Sequence, residues 1–385
     1  SNILFSNTVD SEGNLIVVGI TQCGFDGQDS YGDNDGVVVK FDKYGNKLWT
    51  RVLGTSGRDY FYGVASDSSG NIFVTGWTNS GWFNDNKGHI DAVVIKLDSE
   101  GNFEWGIQEG TTGEDVASSV VVKDNIVYVA GYSQGNFLGH VSNGSYDYYI
   151  IKINQEGEII DSMLDGGPSV DSVYNIKADN QGNLYLIGNT SSNLYGFTAS
   201  GSYDIHIEKY NLDLLRQKTF VIGTPLEDWG VDLAVSDDLE IFAVGYTQGD
   251  LGGNINAGSY DHFLIKLNSD FEMVFCTLTG TSGEEGKGQL GNRAAFSGDY
   301  FYTVMNVSGE IEGGNYYGGT DPVIAVYDTE GNLVRLRYYG NEHNNIARGM
   351  SAGEDFVLIS GSTLGDLPGY TTAGGDDFFV IKESF

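Results

Sequence analysis

The sequence repeats with a period of 56 to 60 residues from one end to the other. Seven times, a glycine is followed three positions later by an aspartate that opens an apolar run. These aspartates are Asp35, Asp91, Asp147, Asp204, Asp261, Asp321 and Asp377. A lysine follows five residues after each of them except Asp321, where Val326 stands instead. Self-similarity at one period indicates a repeat architecture, so the chain should fold as seven copies of one unit.

Two further markers keep the same period. The first is a glycine followed two positions later by Ser or Thr, and the glycines are Gly19, Gly76, Gly131, Gly188, Gly245 and Gly361. The second is a glycine followed five positions later by Asp, Glu or Asn, and these glycines are Gly54, Gly110, Gly166, Gly223, Gly280 and Gly340. Three independent markers with one period make a chance pattern implausible.

Each unit reads as four short strands, which we name a, b, c and d. In the second unit they are predicted at Tyr60–Ser66, Ile72–Trp77, Ala92–Leu97 and Phe103–Gln108. The run Asp67-Ser68-Ser69-Gly70-Asn71 joins a to b, and similar turns join c to d. Asp bonds the backbone amides of such a turn and Gly supplies the positive φ that closes it. The four strands should therefore form an antiparallel meander.

Strand c is apolar on both faces, as in Val37-Val38-Val39, so each sheet must be covered on both sides. Four-stranded sheets packed face to face are the blades of a β-propeller. We predict an all-β fold, a single seven-bladed β-propeller domain over residues 1–385. Its approximate blades are 1–58, 59–114, 115–170, 171–227, 228–284, 285–344 and 345–385.

The last blade should have three strands. Strand a is predicted to begin at Asn2, and the sequence ends after strand c of the seventh unit, so only six d strands are present. An exposed apolar edge invites another strand. We therefore expect residues 377–382 to pair with a neighbouring chain or with a further segment of a longer polypeptide.

The repeat resembles a known family. Gly54-Thr55-Ser56-Gly57-Arg58-Asp59 before strand a, Asp67–Asn71 after it, and Gly-x-x-Asp-x-x-x-x-Lys on strand c are similar to the bacterial SBBP-type β-propeller repeats. The resemblance extends over essentially the whole chain and is weakest in the sixth unit. It implies a propeller from a secreted or cell-surface protein, often beside adhesion modules, and it carries no defined catalytic site.

Composition excludes several classes of function. The net charge is −33, which repels nucleic acids and anionic membranes as partners. No run of 18 apolar residues occurs, so no membrane span is expected. The two cysteines, Cys23 and Cys276, permit no disulfide framework and no cysteine metal cluster.

The b–c loops are long and differ between units, and such loops on a rigid scaffold are common binding sites. Several carry aromatic residues that suit a sugar ring or a protein surface. The candidate ligand-binding residues are Trp82, Phe83, Phe137, Tyr195, Phe197, Tyr316, Tyr317 and Tyr370. The alternative interpretation is that these rings fold back over the blades.

The acidic residues before strand a also have two possible interpretations. They could ring the channel mouth and hold Ca²⁺, or each could cap its own turn and connect neighbouring blades. These residues are Asp59, Asp115, Asp171, Asp228 and Glu285. No cofactor is required by any motif.

The sequence favours a non-catalytic, extracellular or cell-surface module that binds a glycan or a protein, or serves structural assembly, through its long-loop face. The alternative is a glycosidase or lyase that uses loop carboxylates near the channel, such as Asp26, Asp85 and Asp250. Gly131-Tyr132-Ser133-Gln134-Gly135 matches a hydrolase nucleophile pattern, but Ser133 occupies the Ser/Thr position of the repeat.

Overall fold

The chain forms seven small antiparallel sheets around a central axis. The computed structural model describes residues 1–283, 285, 293–311, 316–353, 355–367, 371 and 376–384. Six sheets have four strands in meander order and the last has three. The first strands of successive sheets pack against each other, and the first strand of the last sheet packs against that of the first. The predicted seven-bladed propeller with a three-stranded last blade is confirmed.

Blades one to three contain β1 (Asn2–Val9), β2 (Leu15–Thr21), β3 (Asp35–Phe41), β4 (Lys47–Leu53), β5 (Asp59–Ser66), β6 (Ile72–Thr78), β7 (Asp91–Leu97), β8 (Phe103–Glu109), β9 (Asp115–Lys123), β10 (Ile126–Ser133), β11 (Asp147–Ile153) and β12 (Ile159–Asp165). Blades four and five contain β13 (Asp171–Ala178), β14 (Asn183–Thr190), β15 (Asp204–Asn211), β16 (Arg216–Ile222), β17 (Asp228–Val235), β18 (Ile241–Thr247), β19 (Asp261–Leu267) and β20 (Met273–Thr279), with a short 3₁₀ turn at Leu251–Gly253. Blades six and seven contain β21 (Arg293–Ser297), β22 (Tyr300–Val307), β23 (Asp321–Tyr327), β24 (Leu333–Tyr338), β25 (Asn345–Ala352), β26 (Phe356–Thr363) and β27 (Asp377–Ser384).

The hydrophobic core is divided among the junctions between blades. At the first junction, Val18 and Val38 of blade one pack with Phe61 and Val74 of blade two. At the last junction, Leu358 of blade seven packs with apolar residues of blade one. Strand c faces one junction on each side, which explains why its residues are apolar on both faces.

A backbone hydrogen bond joins each blade to the next. The N–H of Asp59, which begins β5, donates to the carbonyl of Asn34, just before β3, at 2.8 Å. Five further junctions repeat this bond, and the Asn2 N–H closes the ring on the Asp376 carbonyl at 3.0 Å. Because β1 pairs with β2, the predicted start of strand a at Asn2 is confirmed.

The repeated lysine of strand c connects blades on the opposite face. In five blades its ammonium donates to a carbonyl in the c–d turn of the following blade, as Lys96 does to Gln155 and Lys266 does to Thr329. Lys382 of blade seven reaches the Lys43 carbonyl of blade one in the same way, at 3.2 Å. The ammonium groups of Lys96, Lys266 and Lys382 lie over buried or half-buried rings. Lys40, Lys96 and Lys266 are buried, so this lysine packs between blades there.

Within the described residues, no helix is long and apolar enough to cross a bilayer.

The glycine of the Gly-x-Ser/Thr marker is explained by a β-bulge. Strand a carries one extra residue opposite it, as between Phe61 and Gly63 of β5. The bulge brings the carbonyl of strand a against the glycine, so that a Cβ on Gly76 would lie 1.7 Å from the Tyr60 oxygen. The same contact recurs at Gly19, Gly131, Gly188, Gly245 and Gly361, at 1.8 to 2.1 Å. Only glycine fits there.

We expect Gly76→Ala to lower the free energy of unfolding by about 3 kcal/mol, because the methyl group must displace the bulged strand. Chemical denaturation measures the change. Gly81→Ala is the control, since its Cβ would lie 3.1 Å from the nearest atom, the Asn84 oxygen, and it should cost less than about 1 kcal/mol. Equal losses in the two variants would contradict the proposed role of the bulge.

Candidate functional site

The aspartate that opens strand c is a buried cap for the b–c loop. Asp35 Oδ2 accepts hydrogen bonds from Ser30 Oγ at 2.5 Å and from the backbone N–H groups of Tyr31 and Gly32 at 2.9 and 3.2 Å. Its other oxygen, Oδ1, is buried and has no hydrogen-bond partner among the described residues. The equivalent oxygens of Asp91, Asp147, Asp204 and Asp261 are in the same situation. This series therefore has a structural role, with one unsatisfied acceptor in each of blades one to five.

The acidic residue that opens strand a caps the preceding turn. Asp59 Oδ2 accepts from the backbone N–H of Thr55 at 2.7 Å and from its hydroxyl at 3.0 Å. Asp115 repeats these bonds with Thr111 and also accepts from the Ser133 hydroxyl. Ser133 is thus a partner of a buried carboxylate and not an exposed nucleophile.

The five residues considered for calcium are fully buried and lie in five different junctions: Asp59, Asp115, Asp171, Asp228 and Glu285. In the described part of the chain, no three His, Cys, Asp or Glu side chains are grouped in a way that could hold a metal ion. The structure does not bring the five together, and calcium binding stays a prediction without a convergent set of ligands.

Each of these carboxylates instead has one acidic neighbour. A Cβ on Gly54 would lie 2.2 Å from Asp35 Oδ1 and 2.9 Å from Asp59 Oδ2, so both oxygens crowd the same glycine. Burial raises the pKa of Asp59, hydrogen bonds from Thr78 and Thr55 oppose the increase, and the charge of Asp35 adds to it. Burial likewise raises the pKa of Asp115, with a contribution from Asp91. Each pair thus places two carboxyl groups close together in a region from which water is excluded.

The loop aromatics mostly fold back onto their own blades. Phe137 is 1% exposed and stacks on Tyr149, so the expectation that it forms a binding surface is wrong. Trp82 and Phe83 are half-buried and stack on each other, with Phe61 and Phe103 completing the row. These rings gain more by covering apolar strand residues than by remaining in solvent.

The remaining loop aromatics are scattered. Tyr195 is half-buried, with its hydroxyl 2.6 Å from that of Tyr148 and the Arg216 guanidinium over its ring. Phe197 and Tyr317 are exposed, whereas Tyr316 is half-buried and donates to the Gly319 carbonyl. Tyr370 lies outside the described residues. The structure does not assemble these residues into one platform.

Asp26, considered as a catalytic carboxylate, lies at the outer side of blade one. It pairs with Lys47 and accepts from Thr50, both on β4, the outermost strand. The expectation that it lies near the channel is therefore wrong. Asp85 and Asp250 are exposed loop residues.

A group of aromatic side chains that the sequence analysis missed lies at the inner ends of the blades, on the long-loop face. We call it the aromatic collar, and its members are Phe5, Tyr60, Tyr62, Trp77, Tyr132, Tyr174 and Trp229. Each is half-buried and comes from the start of strand a or the end of strand b. The rings of Tyr132 and Tyr174 are 6.3 Å apart, and those of Tyr174 and Trp229 are 5.8 Å apart.

The strand-a bulge places part of this collar. The extra residues of β1, β5 and β13 are Phe5, Tyr62 and Tyr174. The central channel, a cavity of about 420 Å³, is lined by residues that follow the bulge on the first strands of the blades. The collar residues are absent from that lining and thus lie at the long-loop end of the channel.

Charged groups border the collar. Tyr146, whose ring contacts Tyr132, donates to a carboxylate oxygen of Glu114 at 2.9 Å. In blade five, Tyr260 donates in the same way to Glu227 at 2.8 Å. Arg348 of blade seven lies 6.0 Å from the Phe5 ring, and burial lowers its pKa to about 10. Aromatic rings stand at the collar in blades one to five and Arg348 in blade seven, so its residues do not repeat from blade to blade.

Comparisons with known proteins agree with the fold. Residues 48–84 match the family model described as SBBP, a beta-propeller repeat, which confirms the resemblance over that segment. The regulatory protein FlaEY of Caulobacter vibrioides is 27% identical over 144 residues, which are 34% of this chain and 15% of that protein. The chain spans only 15% and 14% of the length of the curated relatives it matches.

Two solved structures are similar over nearly their whole length. The WD40 beta propeller domain of Doa1 superposes with a TM-score of 0.52 at 10% identity, covering 94% of this chain and 90% of that chain. The beta-propeller domain of the Trilobed protease from Pyrococcus furiosus gives a TM-score of 0.51 at 9% identity, covering 100% and 95%. At such identities the likeness shows the fold alone.

The paired carboxylates predict a pH-dependent stability. A carboxyl group with a raised pKa stabilises the fold below its unfolded pKa, and this contribution is lost as the pH rises through the raised value. Asp35→Asn removes the neighbouring charge and lets an amide donate towards Asp59. We expect the variant to gain about 1 kcal/mol over the parent at pH 7 and less at pH 4.

Thermal unfolding between pH 4 and pH 8 measures this difference. Asp29→Asn makes the same charge change at an exposed position and should leave the pH profile of the parent unaltered. A gain from Asp35→Asn that does not change with pH would show that the two carboxyl groups are not coupled.

Proposed function

We propose that this chain is a non-catalytic binding module that holds a neutral carbohydrate on the aromatic collar of its long-loop face. The proposal rests on the aromatic collar itself, a row of half-buried rings that extends from blade one to blade five. The hydrophobic effect alone would bury such rings between blades, as it does for Phe137. Rings that stay partly exposed at a channel mouth are available to a ligand.

Aromatic rings and a sugar fit each other chemically. Trp77 stacks on Tyr60 with 4.4 Å between ring centroids, and Trp229 presents a second indole across the mouth. The C–H face of a pyranose can pack on such rings, while its hydroxyl groups need hydrogen-bond acceptors and donors. Glu114 and Glu227 supply acceptors at the border of the collar.

The charge of the protein narrows the ligand class. A net charge of −33 disfavours the approach of uronic acids, sulfated sugars and sialylated glycans. The collar therefore suits neutral sugars. The resemblance to secreted repeat proteins supports an extracellular or cell-surface location for this activity.

We expect the parent protein to bind neutral oligosaccharides on a glycan array, and the strongest binder can then be titrated by calorimetry. Trp229→Ala and Trp77→Ala should each weaken that binder about tenfold or more, because each removes one stacking surface of the collar. Trp229→Phe keeps a ring and should retain most of the affinity.

Trp82→Ala is the matched control, since Trp82 is half-buried on a b–c loop of the same face and lies outside the collar. It should leave affinity unchanged, and circular dichroism must show that all variants are folded. Loss of binding in Trp82→Ala with retention in both collar variants would move the site to the loops. An array with no neutral glycan bound would overturn the proposal.

A further inference from the structure

The outer edge of blade seven borders an apolar groove. Strand β27 pairs with β26 on one side, and no described strand pairs with it on the other. A cavity of about 880 Å³ runs along this edge, between Tyr338 and Tyr339 of blade six and Phe25 and Phe41 of blade one.

The other six blades show what the groove accepts. In each of them the same side of strand c is covered by a d strand of six or seven residues, paired antiparallel. Val38 and Val39 of β3 are fully buried beneath β4, whereas their counterparts on β27, Val380 and Ile381, are half-exposed. The groove is therefore the place of a d strand.

An aromatic strand-d residue that pairs with the repeated lysine contacts the c–d turn of the following blade. In β4 it is Trp49, paired with Lys40, and its ring covers Gly101 in the c–d turn of the next blade, where a Cβ would lie 3.0 Å from the indole. The Trp49 indole N–H donates to the Ser99 carbonyl of that turn at 3.2 Å. In β8, Trp105 covers Gly157 and donates to the Gln155 carbonyl at 2.9 Å.

The same relationship holds at three further junctions. Phe275 of β20 covers Gly331. Where the turn instead carries a large side chain, Leu214 or Phe271, the paired residue of the preceding d strand is not aromatic. It is Asp161 before Leu214 and Lys218 before Phe271. A d-strand aromatic therefore goes with a glycine in the following turn.

Blade one presents such a glycine with nothing over it. The turn after β3 contains Gly45, and no described atom lies within 4 Å of the position of its Cβ. Lys382, which occupies the place of Lys40 on β27, already donates to the Lys43 carbonyl of this turn. The neighbouring Tyr44 is 79% exposed. The junction between blades seven and one thus has the hydrogen bond from the repeated lysine but no described aromatic ring over the turn glycine.

We propose that the groove beside β27 binds an extended segment of a partner protein, antiparallel to β27, with an aromatic residue opposite Lys382 that covers Gly45. A tryptophan would donate from its indole N–H to the Lys43 carbonyl. Main-chain bonds to β27 give the affinity, and the ring over Gly45 gives the selectivity.

The chain contains suitable probes. The peptide of residues 103–109, FEWGIQE, has tryptophan in third place and is acidic, so charge does not draw it to this acidic protein. We expect it to bind the full chain and to slow amide hydrogen exchange in residues 377–384. Its Trp105→Ala version should bind about tenfold more weakly, and a version with proline in fourth place should not bind, because proline cannot pair along the strand.

Gly45→Leu tests the ring contact from the protein side. Leu214 occupies the same turn position with a φ of 57°, so this variant should fold. It should weaken the tryptophan peptide while leaving the alanine peptide unchanged. Equal binding of both peptides by the parent, or protection outside residues 377–384, would overturn the proposal. A concentration-dependent dimer that excludes the peptide would assign the groove to a second copy of this chain.

Discussion

The hydrogen bond from the first N–H of each inner strand to the carbonyl before strand c of the preceding blade sets the arrangement of the whole ring. It has nearly the same length at all seven junctions, 2.7 to 3.0 Å. The bond fixes the depth at which one blade sits against the next. It also directs the side chain of its donor residue into the junction, beside the aspartate that caps the b–c loop. The donor must be small and polar, and it is Asp, Glu or Asn in every blade.

This constraint explains why the ring closes without a shared sheet. Blade one and blade seven meet through the Asn2 bond, the Lys382 bond and an apolar cluster, which are the same three contacts found between other blades. The outer edge of β27 has no part in any of them. A strand bound at that edge would add contacts to a ring that is already closed, so its presence can be regulated independently of folding.

The repeat could be predicted from the sequence because turn chemistry is local. Asp67 and Gly70 specify a turn by themselves, and repetition across seven units removes ambiguity. The side chains on the long loops, in contrast, contact residues that are distant in the sequence. The sequence alone does not show that Phe137 stacks on Tyr149, or that Asp26 forms an ion pair with Lys47.

The collar was missed because its position depends on a bulge. Tyr62 and Tyr174 read as ordinary members of strand a until the extra residue is known, and a shift of one residue moves a side chain to the other face. One signal was nevertheless present. The variable residue of the Gly-x-Ser/Thr marker is Trp77, Tyr132 and Tyr246 in three blades but Asn189 and Ser362 in two others. Since a structural position tends to keep one chemical type in every unit, a position that changes type around the ring is a candidate for function. The coupling of d-strand aromatics to turn glycines is the opposite case, in which two positions change together because they touch.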